Sequence, residues 1–123
     1  ILLGVGREDR MEDVEWLVRK VSGMRIFNDE SGKINFSIQD NAGDVLVVSQ
    51  FTLMASTKKG NRPSFDPAAP PETAGNLYRS FVTSLSRVLN KPVTTGEFGA
   101  YMQVSLVNDG PFTIIADSKM RDS

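Results

Sequence analysis

Three polar side chains that could take part in chemistry, Ser49, Gln50 and Thr52, follow an unbroken apolar run at 45–48. The run predicts a strand covered on both faces, and the ends of such strands commonly hold active sites. From the pattern alone, ordinary strand-end hydrogen bonding is the more common role for these groups. Thr52 is poorly equipped as a nucleophile, because the chain has no histidine to act as its base.

A cluster of three cations, Lys58, Lys59 and Arg62, lies in the segment directly after this strand end. A run of like charges is usually a solvated surface. The position next to the polar strand end favours phosphate binding instead, and Gly60 and Asn61 allow backbone N–H groups to turn outward as an anion nest. The residues alone leave both interpretations open.

The segment NDGP at 108–111 favours a hairpin turn, which is the more common interpretation of this pattern. A functional role would require an unusual backbone. Proline lowers the cost of a cis peptide bond to about 0.5–1 kcal/mol, and a cis Gly110–Pro111 bond would point two neighbouring carbonyl oxygens in one direction. Such a pair could accept hydrogen bonds from an ammonium group.

The composition excludes several kinds of site. The 123-residue chain has no cysteine and no histidine, and its 15 acidic and 14 basic residues give a net charge of −1. Disulfides, a thiolate nucleophile, a Cys/His zinc site and a Ser-His-Asp triad are therefore excluded. No metal-ligand set is evident, and we expect no cofactor and no membrane partner. The balanced charge neither requires nor forbids a nucleic-acid partner.

Two amphipathic helices are predicted to position these groups. The first runs from Asp9 to Gly23, with Glu12 as the capping-box partner of Asp9 and Gly23 as the C′ residue. The second begins at about Glu72, with Pro71 in its first turn, and carries a long apolar stripe.

The remaining apolar segments predict strands, and the proline-rich segment 55–71 predicts a surface loop. We expect one domain, residues 1–123, with an antiparallel or mixed sheet, two covering helices and a central strand at 45–48. The predicted strands lie at 1–6, 24–27, 34–38, 45–48, 101–106 and 112–116.

Three longer motifs, in order, resemble one protein family: SQFTL at 49–53, KGNRPSF at 59–65 and VSLVNDGPFT at 104–113. GVGRED at 4–9 and RIFNDESGK at 25–33 are also similar to it. This is the D-aminoacyl-tRNA deacylase family, the D-Tyr-tRNA deacylase type of proofreading enzyme. The resemblance covers essentially the whole chain.

The resemblance implies a homodimeric, β-barrel-like α/β fold with active sites at the dimer interface. It implies hydrolysis of the ester between a D-amino acid and the 3′-terminal adenosine of tRNA, in the cytoplasm and without a cofactor. An L side chain is excluded by sterics, whereas glycine has no side chain to exclude, so some glycyl-tRNA is expected to be cleaved. Family members have a strand hairpin upstream of the position matched by Ile1, so the chain is expected to be N-terminally incomplete relative to the family.

The resemblance also implies roles in the pocket. Ser49, Gln50, Phe51 and Thr52 line the site for the terminal adenosine and the ester. Backbone N–H groups near Phe51 and Thr52 face the carbonyl oxygen, so Gln50, Phe51 and Thr52 form the catalytic segment. Met102 is expected on the pocket wall.

Two further groups complete the expected site. Gly110 and Pro111, cis in the family, reach into the partner subunit's pocket and bind the substrate ammonium through their carbonyl groups. Lys58, Lys59 and Arg62 are expected to contact phosphates of the acceptor end.

The mechanism implied by the resemblance needs no strong base from the protein. The ribose 2′-hydroxyl of the RNA assists the attacking water, whereas an older alternative makes Thr52 the nucleophile. We favour the first, because an unactivated threonine hydroxyl contributes little at neutral pH. A different class of function, a non-catalytic dimeric module that binds aminoacyl-tRNA or another adenosine-bearing ligand, is the alternative. A structural dimer without a ligand leaves the polar strand ends unexplained.

Overall fold

A parallel sheet lies at the centre of the computed structural model, which describes residues 1–110 and 112–121. Its strands are β1 (Leu2–Leu3), β4 (Leu46–Ser49) and β5 (Thr94–Thr95), with β4 in the middle. Both neighbours pair with β4 in parallel. The prediction of a central strand here is confirmed.

Backbone hydrogen bonds fix the register on both sides of β4. Val48 N–H donates to Ile1 C=O at 2.9 Å, and Gln50 N–H donates to Leu3 C=O at 2.8 Å. On the other side, Gly96 N–H donates to the C=O of the fully buried Val47 at 3.2 Å. The polar residues after β4 therefore start from a backbone that is held on two sides.

Two helices, α1 (Met11–Gly23) and α3 (Pro71–Leu89), pack against each other and share one core with the sheet. Both were predicted from their apolar stripes, and both are confirmed. The core is formed by Leu3, Val14, Val18, Val47, Tyr78, Phe81 and Leu85.

The predicted cap of α1 is wrong. Arg10 occupies the N-cap position, and its N–H donates to Asp13 Oδ2 at 2.8 Å, so the expected pairing of Asp9 with Glu12 is replaced by Arg10 with Asp13. Asp9 is not available, because its carboxylate accepts a hydrogen bond from Gly6 N–H at 2.7 Å and closes the preceding turn.

The end of α1 also differs from the prediction. Gly23 is the last helical residue rather than the C′ residue, since Met24 directly continues in extended backbone. An antiparallel hairpin follows, formed by β2 (Phe27–Asn28) and β3 (Ile34–Phe36), as predicted. The second strand ends before Ile38, because Ser37 begins the short helix α2 (Ile38–Asn41) as its N-cap.

The strands predicted at 101–106 and 112–116 are absent from the described part of the chain. Tyr101, Val107 and Ile115 are 95%, 90% and 93% exposed. Apolar alternation forms a strand only where a neighbouring strand accepts its hydrogen bonds, and these segments have no such neighbour among the described residues. The described strands form one three-stranded and one two-stranded sheet, with no closed sheet.

The result is an α/β fold with parallel and antiparallel pairing and three α-helices among the described residues. No helix within the described residues is long and apolar enough to cross a membrane.

Candidate active site

A small cavity of about 120 Å³ opens where β4 ends. It lies between Leu3 of β1, Val5 just after that strand, the end of β4, the first half of α3 and the loop after β5. Its walls are therefore mostly apolar and aromatic, with polar groups along one side. The lining residues are Leu3, Val5, Ser49, Gln50, Phe51, Tyr78, Phe98, Gly99 and Ala100.

The polar side of the cavity continues into a 3-10 helix, Phe51–Met54, that begins directly after Gln50. Leu53 N–H donates to Gln50 C=O at 3.1 Å and closes the first turn. The N–H groups of Phe51 and Thr52 precede this bond, and such amides have no partner inside their own helix. Phe51 lines the cavity and Thr52 follows it in the chain, and two adjacent backbone donors of this kind can stabilise a negatively charged oxygen.

The side chains of Gln50 and Thr52 are coupled to each other. Gln50 Nε2 donates to Thr52 Oγ1 at 2.5 Å, so the threonine oxygen acts as an acceptor in this arrangement. No carboxylate or amine side chain in the described structure bonds to Thr52 Oγ1. A nucleophilic hydroxyl needs such a base, and the arrangement therefore supports a positioning role for Thr52.

Two aromatic pairs flank the segment. The exposed ring of Phe51 packs edge-on against Phe65, with ring centroids 5.2 Å apart. Across the cavity, Tyr78 and Phe98 are 5.4 Å apart, and Tyr78 OH donates to Val47 C=O at 3.2 Å. This hydroxyl fixes the Tyr78 ring relative to β4.

Sequence reasoning missed the aromatic wall formed by Tyr78 and Phe98. Tyr78 belongs to the apolar stripe of α3 and was assigned to the core, which it also occupies. Phe98 lies in an irregular segment with no periodic signal. Only the docking of α3 and the loop after β5 beside β4 brings them to the cavity.

The predicted basic residues Lys58, Lys59 and Arg62 are exposed on a projecting loop. Reciprocal backbone bonds of 2.7 and 2.9 Å between Ser56 and Ser64 close its base. Among the residues the structure describes, no ion pair or hydrogen bond uses the three cationic side chains. The chain continues from Ser64 into the aromatic pair at the 3-10 helix, so the loop is anchored beside the cavity.

Of the predicted pocket residues, Ser49, Gln50 and Phe51 line the cavity, whereas Thr52, Met102 and Gly110 lie outside its lining. Met102 packs on Gly96, where an added Cβ would come within 2.7 Å of Met102 Sδ. Gly110 is exposed with φ +137°, in a turn closed by Asn108, whose Oδ1 accepts from Phe112 N–H at 3.3 Å. Pro111, and with it the predicted cis Gly110–Pro111 bond, lies outside the described residues.

One buried acidic group lies away from the cavity. Asp13 Oδ2 accepts a hydrogen bond from Lys119 Nζ at 3.0 Å, and Arg121 is 3.6 Å from Oδ1. Burial raises the pKa of the Asp13 carboxyl, but hydrogen bonds from Arg10 N–H and Lys119, together with the lysine charge, outweigh it and hold this pKa below its usual value. The described structure places no group of three or more His, Cys, Asp or Glu side chains to hold a metal ion.

Comparison with known proteins gives consistent matches. The family model described as D-Tyr-tRNA(Tyr) deacylase matches residues 1–117. The D-aminoacyl-tRNA deacylase of Akkermansia muciniphila is 57% identical over 122 residues, which are 99% of this chain and 81% of that protein. The enzyme of the same name from Opitutus terrae is 54% identical with the same coverage.

Solved structures are also similar. The c-Myc DNA Unwinding Element Binding Protein superposes with a TM-score of 0.86 and 45% identity, over 92% of this chain and 76% of that chain. A probable eukaryotic D-amino acid tRNA deacylase matches with a TM-score of 0.58 and 20% identity, over 72% of this chain and 51% of the other. This second likeness concerns the fold alone.

Proposed function

Because this chain belongs to the D-Tyr-tRNA(Tyr) deacylase family, we propose that it hydrolyses the ester bond of D-aminoacyl-tRNA and releases the D-amino acid and free tRNA. Relatives that share 54% and 57% of its residues carry the name D-aminoacyl-tRNA deacylase. The proposed location is the cytoplasm, where the substrate is found.

The observation that carries the proposal is the cavity at the end of β4, which combines an aromatic wall with backbone donors. The half-buried Phe98, with Tyr78 packed against it, offers ring surface to the adenine of the tRNA 3′ end, because every base has a flat face that stacks on aromatic side chains. The ester then lies along Ser49 and Gln50, and the N–H groups of Phe51 and Thr52 donate to its carbonyl oxygen.

The reaction needs little acid–base chemistry from the protein. Water adds to the ester carbonyl carbon, the bond to the ribose 3′-oxygen breaks, and this oxygen takes up a proton. The adjacent ribose 2′-hydroxyl orients the water and relays its proton. Gln50 and Thr52 hold each other in place at 2.5 Å, which keeps the two backbone donors in position.

Chiral selection belongs to the same proposal. In a homodimer, the carbonyl groups of Gly110 and Pro111 from the partner bind the substrate ammonium, and Met102 closes the pocket wall. An L side chain then meets this wall, while glycine is tolerated. The exposed apolar side chains of segment 101–117 support burial against a second subunit and a barrel-like closure of the sheet there.

The test is release of amino acid from D-tyrosyl-tRNA, with L-tyrosyl-tRNA as the matched control. We expect rapid release from the D substrate, slow release from glycyl-tRNA and release from the L substrate at the spontaneous rate. Binding of D-tyrosyl-tRNA without accelerated release would instead establish the non-catalytic binding module.

A further inference from the structure

A second charged surface, which the proposed reaction does not use, lies on the C-terminal half of α1. Residues 16–28 contain three cations, Arg19, Lys20 and Arg25, and no acidic residue, whereas residues 8–15 contain five acidic residues. The helix dipole favours acids at the start and bases in the last turn, which accounts for the polarity of α1. The helix dipole does not account for the open groove that this surface forms.

An open groove of about 440 Å³ lies over this half of the helix. We call it the Trp16 groove; its lining residues are Trp16, Arg19, Lys20, Gly23 and Met24. The four helical residues lie three, one and three positions apart, so they share one face of α1. Gly23 leaves the last turn open, with no atom within 4 Å of the position that a Cβ would take.

The half-buried Trp16 ring orients cations at this groove. Lys20 Nζ and the Arg121 guanidinium carbon each lie 5.3 Å from the ring centroid. Cation–π attraction at this distance restricts long side chains that would otherwise lose entropy on binding an anion. The groove therefore presents cations that are already ordered before a ligand arrives.

Two cations of the groove, Arg19 and Lys20, are not neutralised within the described part of the chain, whereas Arg121 pairs with Asp13. Among residues 1–110 and 112–121, neither Arg19 nor Lys20 forms an ion pair. The nearby Asp13 carboxylate lies closer to Lys119 than to Arg121. Its Oδ2 is 3.0 Å from Lys119 Nζ, whereas its Oδ1 is 3.6 Å from Arg121 Nη2. A polyanion with regularly spaced charges fits this arrangement best, and the RNA backbone is such a polyanion.

We propose that the Trp16 groove binds the phosphate backbone of the substrate tRNA, at a point separate from the 3′ end held in the cavity after β4. This inference rests on the proposed function, since it assigns a second contact to the same RNA. It adds a sequence-independent contact, which strengthens binding without altering the choice between D and L amino acids.

The experiment compares two substrates that differ in phosphate content: D-tyrosyl-tRNA and the ester of D-tyrosine with free adenosine. Lys20→Ala and Arg19→Ala remove groove cations. Arg87→Ala is the matched control, because it removes an exposed cation from the last turn of α3, as Lys20→Ala does from α1.

We expect each groove variant to raise KM for D-tyrosyl-tRNA about two- to fivefold with kcat unchanged. The association constant for D-tyrosyl-tRNA, plotted as its logarithm against log[salt], should have a slope that is less steep by about 0.7–0.9 for each phosphate that is no longer bound. Cleavage of D-tyrosyl-adenosine should not change, and Arg87→Ala should leave both substrates unaffected. The inference is wrong if Lys20→Ala matches Arg87→Ala on D-tyrosyl-tRNA, or if both substrates are affected equally.

A binding measurement separates this inference from the proposed reaction. Trp16 is the only tryptophan, so its fluorescence reports on the groove directly. Uncharged tRNA should quench it, with weaker binding in the Lys20→Ala variant, even in a protein that cleaves nothing. Unchanged fluorescence, or equal competition by poly-glutamate, would overturn the assignment of the groove to RNA.

Discussion

The replacement Asp13→Asn tests how the chain between residues 117 and 121 is held to α1. The Asp13 side chain is only 5% exposed, and it contacts Lys119 at 3.0 Å and Arg121 at 3.6 Å. Asparagine keeps the shape and can still accept the Arg10 N–H bond, but it removes the negative charge. The variant therefore isolates the two ionic contacts.

The expected decrease in stability follows from the exposure of the partners. Breaking a fully buried ion pair costs about 3–5 kcal/mol, because a charge is left unpaired in the interior. Lys119 and Arg121 are 46% and 43% exposed, so water compensates in part. We expect Asp13→Asn to lower the free energy of unfolding by about 1.5–3 kcal/mol, which corresponds to about 5–15 °C in Tm.

The matched control is Asp44→Asn. Asp44 pairs with Lys91 at 3.2 Å, but its side chain is 92% exposed. An exposed pair of this kind contributes less than about 1 kcal/mol. Thermal and urea unfolding then measure the effect of the same Asp-to-Asn change at a buried and at an exposed position. Equal decreases in the free energy of unfolding would show that burial does not determine the contribution of these ion pairs.

The pH dependence gives a second check. Burial raises the pKa of Asp13, yet the hydrogen bonds and the Lys119 charge lower it further, so its value in the folded protein lies below the usual one. The carboxylate stabilises the fold fully above the unfolded pKa of about 3.9, and this contribution is lost as pH falls through the folded pKa. The loss of unfolding free energy caused by Asp13→Asn should therefore be constant near neutral pH and should become smaller below about pH 4. A loss that grows below pH 4 would contradict a lowered pKa of Asp13 in the folded protein.

Three further predictions concern the active site. Thr52→Ala should lower the deacylation rate without abolishing it, while replacement of the terminal ribose 2′-hydroxyl by hydrogen should lower it more; a trapped acyl-Thr52 intermediate would overturn this mechanism. Alanine at Lys58, Lys59 or Arg62 should reduce the salt slope of tRNA binding by about 0.7–0.9 for each true phosphate contact, and an unchanged slope in all three would make the loop an ordinary solvated surface. Because none of the described residues that line the cavity is His, Cys, Asp, Glu or Lys, kcat for D-tyrosyl-tRNA, which is measured with the substrate ammonium already bound, should show no bell-shaped pH dependence between about pH 5.5 and 8, and a bell would reveal a protein acid or base.

The sequence predicts those elements whose side chains carry a strong periodic signal. The stripe of α3 includes Phe81 and Leu85, both almost fully buried, and the apolar run of β4 includes Val47. In each element the apolar side chains of one or both faces must be buried away from water, so the sequence pattern and the packing agree. The motif after β4 lies beside a cavity, because Ser49 and Gln50 line it, and its role in the reaction stays a prediction.

The elements that were missed depend on interactions between residues distant in sequence. β5 consists of Thr94 and Thr95, whose side chains are exposed, and it exists only because its backbone pairs with β4. The cap of α1 depends on a competition between two carboxylates, which Gly6 decides by binding Asp9. The segments at 101–106 and 112–116 carry a strand pattern without a neighbouring strand among the described residues, so the pattern alone overstates their structure.

A deacylase of this kind depends on backbone position more than on any single side chain. The two proposed donors are amides of Phe51 and Thr52, and no side-chain substitution removes them. The position of these amides depends on β4, which pairs with β1 on one side and with β5 on the other. Tyr78 OH also donates a hydrogen bond to Val47 C=O of β4 at 3.2 Å. In the proposed mechanism the nucleophile is water and its assistant belongs to the RNA, so substitutions at the site should reduce the rate in steps, and substitutions that shift β4 should have the largest effect.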